Sequence, residues 1–275
     1  MYQCYVGKVR GLFGRLGGLL EHCENMRHNV PYAPEMDRTI PPLRGVEGYC
    51  RIPIQECAEP LVCIENDCSP GLIVRLQYNE AHIPGATDRC LVRRTVKELL
   101  VSASRLLPPG VHLMIWDAWR PASVQQVLFD REVRRVMSCY PNLSLEEVKR
   151  RVTTFVSAPT TGAECPSPHL TGGAVDVTLC DDNGESLYFG TYFDEFTAKA
   201  DTRFLEEQLN EAREMSGEEY VALRNRRLLF HVMTACGFTN YPQEWWHYDY
   251  GNQFWGCISY RPYVPYGPVL TTEER

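Results

Sequence analysis

Apolar and polar positions along the chain sort into two periods. Leu91, Val92, Val96, Leu99, Leu100, Ala103 and Leu107 recur at helical spacing, which predicts a helix over 91–107. Pro108-Pro109-Gly110 ends it. GLIVRLQY (71–78) alternates and is rich in β-branched residues, so a strand is expected there, and HLMIWDA (112–118) predicts a second. Pro121 suits the first turn of a helix that runs through Val124, Val127, Leu128, Val133 and Val136 to about Cys139. Another helix is expected near Ser144, with Glu147 as its capping-box partner. GGAVDVTLC (172–180) predicts a strand. Helical spacing returns over about 218–235, with Gly237 placed to cap it. Elements come in mixed order without βαβ regularity. This predicts an α+β fold with packed helices on a small, mainly antiparallel sheet.

Residues 1–70 carry neither period. They hold seven prolines and six of the twelve cysteines. They are expected to form an irregular extension wrapped over a main domain of residues 71–275. No internal repeat or low-complexity segment stands out.

Composition narrows the function. Hydrophobic residues make up 44% and charged residues 23%, ordinary values for a globular protein. A formal charge of -7 argues against a nucleic-acid partner, which calls for a basic face. No run approaches the ~18 apolar residues of a membrane span, and the first residues (MYQCYVGKVRGLFGRLGGLLEHCENM) lack an export signal's long apolar stretch and cleavage site. A soluble, cytoplasmic protein is expected. Twelve cysteines are many for a cytosolic enzyme, yet no C-x-x-C pair points to a structural zinc site. Free, mostly buried thiols and a few disulfides in the N-terminal segment both remain open.

Three segments bring reactive side chains: SPHLTGGAVD with Ser167, His169 and Asp176; EWWH with Glu244 and His247; and WDAWRP with Asp117 and Arg120. Catalytic zinc takes three protein donors and keeps a fourth position open. His169 and Asp176, across a Thr-Gly-Gly turn, supply two, and His247 is the natural third. Glu244, three residues before His247, is placed as general base toward an attacking water. Trp245 and Trp246 are expected to wall the site, and Arg120 to stabilise an oxyanion. No cysteine is needed in this set.

Together S-x-H-x-x-G-x-A-x-D and E-W-W-H resemble the D-alanyl-D-alanine dipeptidases of the VanX type. Those are zinc peptidases related to D,D-carboxypeptidases and to the hedgehog signalling domain. IWDAWRP (115–121) is similar to the stretch bearing the family's oxyanion arginine, which falls on Arg120. FDEF (193–196) is similar to the segment whose aspartate binds the substrate's amino terminus, which falls on Asp194. NRRLL (225–229) looks like the family's last helix. The likeness spans about residues 71–260. It departs at LQYNEAHIPGATDRC (76–90), which keeps Tyr78 but lacks the family's Asn-Phe-x-Gly.

The resemblance implies one zinc per chain on His169, Asp176 and His247, with Glu244 as general base and acid. It also implies Arg120 at the scissile carbonyl, Asp194 on the free amine of a D,D-dipeptide and Ser167 on the substrate, at its carboxylate. Two alternatives keep the same motifs. One is a D,D-carboxypeptidase or endopeptidase acting on peptidoglycan stems. The other is a non-catalytic zinc module of the hedgehog kind. Oligomeric state is not legible in the sequence.

Overall fold

A computed structural model describes residues 31–270, apart from residue 67, residues 154–159, residue 161 and residues 212–213. The expected absence of an export signal falls on residues 1–30 and lies outside the described residues. The strands are β1 (Leu61–Ile64), β2 (Leu72–Val74), β3 (Cys90–Arg93), β4 (His112–Asp117), β5 (Ala174–Cys180), β6 (Thr239–Asn240) and β7 (His247–Asp249). The helices are α1 (Gln77–Glu80), α2 (Arg94–Ser104), α3 (Ala122–Cys139), α4 (Leu145–Val152), α5 (Phe204–Asn210), α6 (Gly217–Ala235) and α7 (Gln253–Ile258).

The α+β class is as expected. Five strands form one sheet in the order β2-β4-β5-β7-β6, and β1 pairs with β3 in a separate ribbon. All pairings are antiparallel except β2 with β4. Central β5 is buried throughout its length. Its Val175, Val177 and Leu179 join the main core with Leu113 and Ile115 of β4 and with Val96, Leu100, Leu228, Leu229, Val232 and Met233 of α2 and α6. Alternation sends Asp176, between two core valines, to the opposite face.

Local capping follows the sequence. Ser144 and Glu147 form a complete capping box on α4, and Ser216 with Glu219 form another on α6. Gly237 follows α6 with φ +93, a conformation that suits glycine.

Two elements differ from expectation. The strand expected over 71–78 stops at Val74, and Gln77–Glu80 turn into a helix that aims Tyr78 inward. The helix expected from residue 91 starts at Arg94, because Leu91–Arg93 pair with Leu61–Cys63. Strand pairing supplies backbone partners that a helical first turn leaves unmet.

The described part of the N-terminal segment lies against the rest of the chain. Ile40 is fully buried, and its N–H donates to Glu206. Ile54 bridges Val264. Cys50 is disulfide-bonded to Cys165, with Cα atoms 5.0 Å apart. Of the two readings left open for the cysteines, this pair follows the disulfide one from its N-terminal end, while Cys90, Cys180 and Cys257 are buried thiols and Cys57 and Cys139 exposed ones. A bond closing 115 residues removes much freedom from the unfolded chain, a stabilisation of roughly 2–5 kcal/mol. No helix among the described residues is long and apolar enough to cross a membrane.

Candidate active site

Sheet register assembles the site. Asp117 of β4 stands opposite Asp176 of β5, and Asp176 stands opposite His247 of β7. A register shift between Ile115 and Asp117 brings Asp117 into that row. Such irregularities re-aim a side chain at the end of a strand.

His169 arrives from the 3₁₀ turn Pro168–Thr171, just before β5. Gly172 closes the turn at φ +71. A Cβ on Gly173 would run into the carbonyl oxygen of Tyr250. The Thr-Gly-Gly sequence thus lets the turn fold back tightly enough to bring His169 over Asp176.

Donor atoms of His169, Asp176 and His247 all lie within 4.8 Å of one another, and all three residues are buried. His247 Nδ1 is 3.1 Å from Asp176 Oδ1 and 3.2 Å from His169 Nε2. His169 Nδ1 lies 2.8 Å from the carbonyl oxygen of Ala118. A carbonyl only accepts, so Nδ1 carries the proton and Nε2 turns its lone pair inward. His247 presents the other nitrogen: its Nε2 points away, 3.1 Å from Asp249 Oδ2. Two imidazoles and one carboxylate with three converging donors suit zinc with a position left open.

Burial works to raise the Asp176 carboxyl, but the His169 and His247 imidazoles outweigh it and hold it well below the usual range. An ionised carboxylate is the form a cation needs.

Glu244 and Arg120 flank the donors. Glu244 Oε2 lies 3.7 Å from His247 Nδ1. Asn240 Nδ2 donates to the carbonyls of both Glu244 and His247, which fixes the turn between them. Burial pushes the Glu244 carboxyl up to about 8, aided by the nearby Asp176 and Asp194 charges. Arg120 Nη2 is 3.3 Å from Asp176 Oδ2. Its guanidinium is held by Asp117 at 2.7 Å and Gln125 at 2.7 Å.

Asp194 lies on the loop between β5 and α5, at φ +57. Tyr78 donates to its Oδ2 at 2.9 Å, and the Arg120 guanidinium sits 4.8 Å over the Tyr78 ring. Burial raises the Asp194 carboxyl to about 7, with Arg120 and Tyr78 opposing the rise. Ser167 is buried immediately before the His169 turn. Trp245 and Trp246 are both core residues. Trp246 and Trp116 pack against Phe193, beside Asp194.

Two further residues support the site: Asp117, which the sequence singles out without a role, and Asp249, which it does not single out. Asp117 touches both Arg120 and His169 Nδ1, the latter at 3.2 Å. Asp249 has no exposure at all, and Asn252 holds its other oxygen at 2.6 Å. The signal for Asp249 was present: positions two apart share a strand face. It went unread because the aromatic run over 241–255 shows no strand period.

Comparison with known proteins bears on the same residues. The family described as D-ala-D-ala dipeptidase matches residues 81–264. A D-alanyl-D-alanine dipeptidase from Synechocystis sp. is 28% identical over 225 residues, covering 76% of this chain and 89% of that protein. One from Escherichia coli is 31% identical over 186 residues, covering 66% of this chain and 79% of that protein. A solved structure of VanYB in complex with D-alanine-D-alanine has 19% identity and a TM-score of 0.39, over 65% of this chain and 82% of that one. The chain belongs to the D-alanyl-D-alanine dipeptidase family of zinc peptidases.

Proposed function

We propose that the protein hydrolyses D-alanyl-D-alanine, or a close D,D-dipeptide, with His169, Asp176 and His247 holding one zinc ion. The observation that carries this reading is the placement of Glu244 beside His247 and of Arg120 beside Asp176, each against a different donor. A non-catalytic metal module needs neither. When bound, zinc acts as a Lewis acid toward the scissile carbonyl and makes a nearby water more acidic.

The remaining steps belong to this chain's own side chains. Glu244 takes a proton from the attacking water as its oxygen bonds to the carbonyl carbon. Burial and the neighbouring carboxylates make Glu244 a stronger base than a solvated glutamate. Arg120 is held rigidly by Asp117 and Gln125, and so meets the negative charge that grows on the carbonyl oxygen without having to reorganise. Glu244 then hands its proton to the leaving nitrogen as the C–N bond breaks, releasing two D-alanines. Asp194 pairs with the substrate's ammonium group, and Ser167 hydrogen-bonds its carboxylate.

We further propose that residues 71–275 form the peptidase domain and residues 1–70 an extension. Its described part is tied down by Cys50–Cys165 and the Ile54–Val264 bridge. The cytoplasmic location expected from the sequence and the Cys50–Cys165 bond pull in opposite directions, because the cytosol keeps thiols reduced; counting free thiols in the native and denatured protein decides between them.

The deciding experiment compares free and N-acetylated D-Ala-D-Ala on zinc-loaded protein, with and without chelator. A dipeptidase cleaves the free dipeptide, loses that activity with the metal and rejects the blocked one, because acetylation removes the ammonium that Asp194 pairs with. Equal cleavage of both substrates indicates a stem-peptide carboxypeptidase. Bound metal with no turnover of either indicates the non-catalytic module.

A further inference from the structure

Asp194 sits on a loop, and the backbone at Asp194 resists the shape it has. At φ +57 it adopts the left-handed conformation that non-glycine residues adopt uncommonly. Bonds within the loop shape the turn, Glu195 N–H to the Tyr192 carbonyl at 3.3 Å and Phe196 N–H to that of Asp194 at 3.1 Å, but they do not fix the turn to the rest of the chain. Tyr78 holds the carboxylate itself at 2.9 Å, which aims the side chain but does not close the loop.

Closure comes from one buried arginine on α6. Arg226 donates from Nε to the carbonyl of Phe189, from Nη2 to that of Lys199 and from Nη1 to that of Asp201, each at 2.8 Å. The first carbonyl lies on the incoming stem of the loop and the other two on its outgoing stem. A planar guanidinium presents donors in a fixed fork and can span the two stems; a lysine ammonium is a single point. The neighbouring Asn225 adds a bond to the carbonyl of Tyr188 at 2.9 Å.

Trp245 completes the neck. Its ring stacks on Phe189 with centroids 4.1 Å apart, its Nε1 donates to Thr191 Oγ1 at 2.7 Å, and its backbone N–H donates to Ala200 at 3.1 Å. Arg226 lies 6.0 Å over the same ring. Burying a guanidinium among carbonyls, so that burial pulls it down to about 9, is a costly way to hold a loop. An apolar residue at this helix position would leave three carbonyls without these donors.

We infer that Arg226 is a positioning residue for recognition of the substrate's amino terminus: it clamps both stems of the 189–201 loop and thereby places Asp194. The inference rests on the proposed role of Asp194. It concerns binding of the ammonium group, not proton transfer at Glu244, so its effect belongs in KM.

The test uses the full, zinc-loaded chain carrying Arg226→Lys, and separately Thr191→Val, which removes only the Trp245 bond at the edge of the neck. Steady-state kinetics are measured on D-Ala-D-Ala and its N-acetyl derivative, with zinc content and circular dichroism recorded for each variant. Arg226→Lys is expected to raise KM for the free dipeptide about tenfold with kcat within about twofold, and to erode discrimination against the acetylated substrate. In an Asp194→Asn background the same change is expected to add less than about twofold, since residues acting through one group are not additive. Thr191→Val is expected to move KM in the same direction by a smaller factor, and it serves alone if Arg226→Lys does not fold.

A fall in kcat at unchanged KM, an equal cost in both backgrounds, or unchanged KM in both variants overturns the inference. If Asp194→Asn itself leaves KM and discrimination untouched, the assignment of Asp194 fails and the clamp's purpose fails with it. A normal Asp194→Asn effect beside a silent Arg226→Lys sinks the clamp alone.

Discussion

The metal-donor centre and the Asp194 loop hold their carboxylates by different means. Asp176 lies in the middle of a buried strand, and register with β4 and β7 on both sides sets its neighbours. Asp194 lies on a half-buried loop in a resisted backbone conformation, held by Tyr78 at its tip. The first arrangement cannot move without breaking a sheet. The second depends on its own turn bonds and on a few contacts that tie it to the rest of the chain. On the proposed function, chemistry is built on the rigid element and substrate selection on the adjustable one, where binding loops commonly fall.

The comparison breaks most readily at Glu244. Glu244→Gln keeps the shape of the side chain and removes the base, so kcat is expected to fall about 10²–10⁴-fold. Zinc content measured on the same preparation should be unchanged. A variant that also loses its metal would show that Glu244 belongs to the donor set and not beside it.

Asp249 probes how far the rigid centre extends. Its Oδ2 lies 3.1 Å behind His247 and has no other partner among the described residues. A carboxylate behind a ligating imidazole fixes the ring and strengthens it as a donor. Asp249→Asn is expected to weaken zinc binding about 10–100-fold in a competition titration, with little change in the KM of fully loaded enzyme. Unaltered affinity would confine the centre to its three donors.

Both carboxylates lose their charge toward acid, Glu244 from about 8 and Asp194 from about 7, so the loop is read in KM and the centre in kcat. Asp194 must be ionised to pair with an ammonium group, and burial raises its carboxyl to about 7. The anion is therefore lost as pH falls through 7, and binding weakens toward acid, not base. KM for D-Ala-D-Ala is expected to rise about tenfold between pH 8 and pH 6. That limb should vanish in Asp194→Asn; if it persists there, another group controls it.

Much of the centre was legible because its signals are local. His169, Asp176, Glu244 and His247 sit in two short motifs whose residue types match a catalytic zinc site. The α3 and α4 helices and β5 follow from period and capping. Less local features escaped. Leu91–Arg93 read as helix until β1, about 30 residues earlier, claimed them as a strand. Tyr78 read as the end of a strand, yet it turns on a short helix to meet a carboxylate 116 residues away. Trp245 and Trp246 read as walls of the site; both pack in the core, Trp246 against Phe193 and Trp245 against Phe189.

By itself, then, the sequence determined the α+β class, the family likeness and the identity of the donor set, all of which rest on periods and spacings of a few residues. Only the tertiary structure decided that Asp117 braces both His169 and Arg120, that Asp249 stands behind His247 and that Arg226 closes the Asp194 loop. It also decided that Cys50 joins Cys165. The reason is physical. A metal ligand or general base is constrained by its own chemistry and so can be read from its type. A supporting residue is constrained only by what stands opposite it, and strand register, helix packing and chain crossing choose that neighbour after the chain has folded.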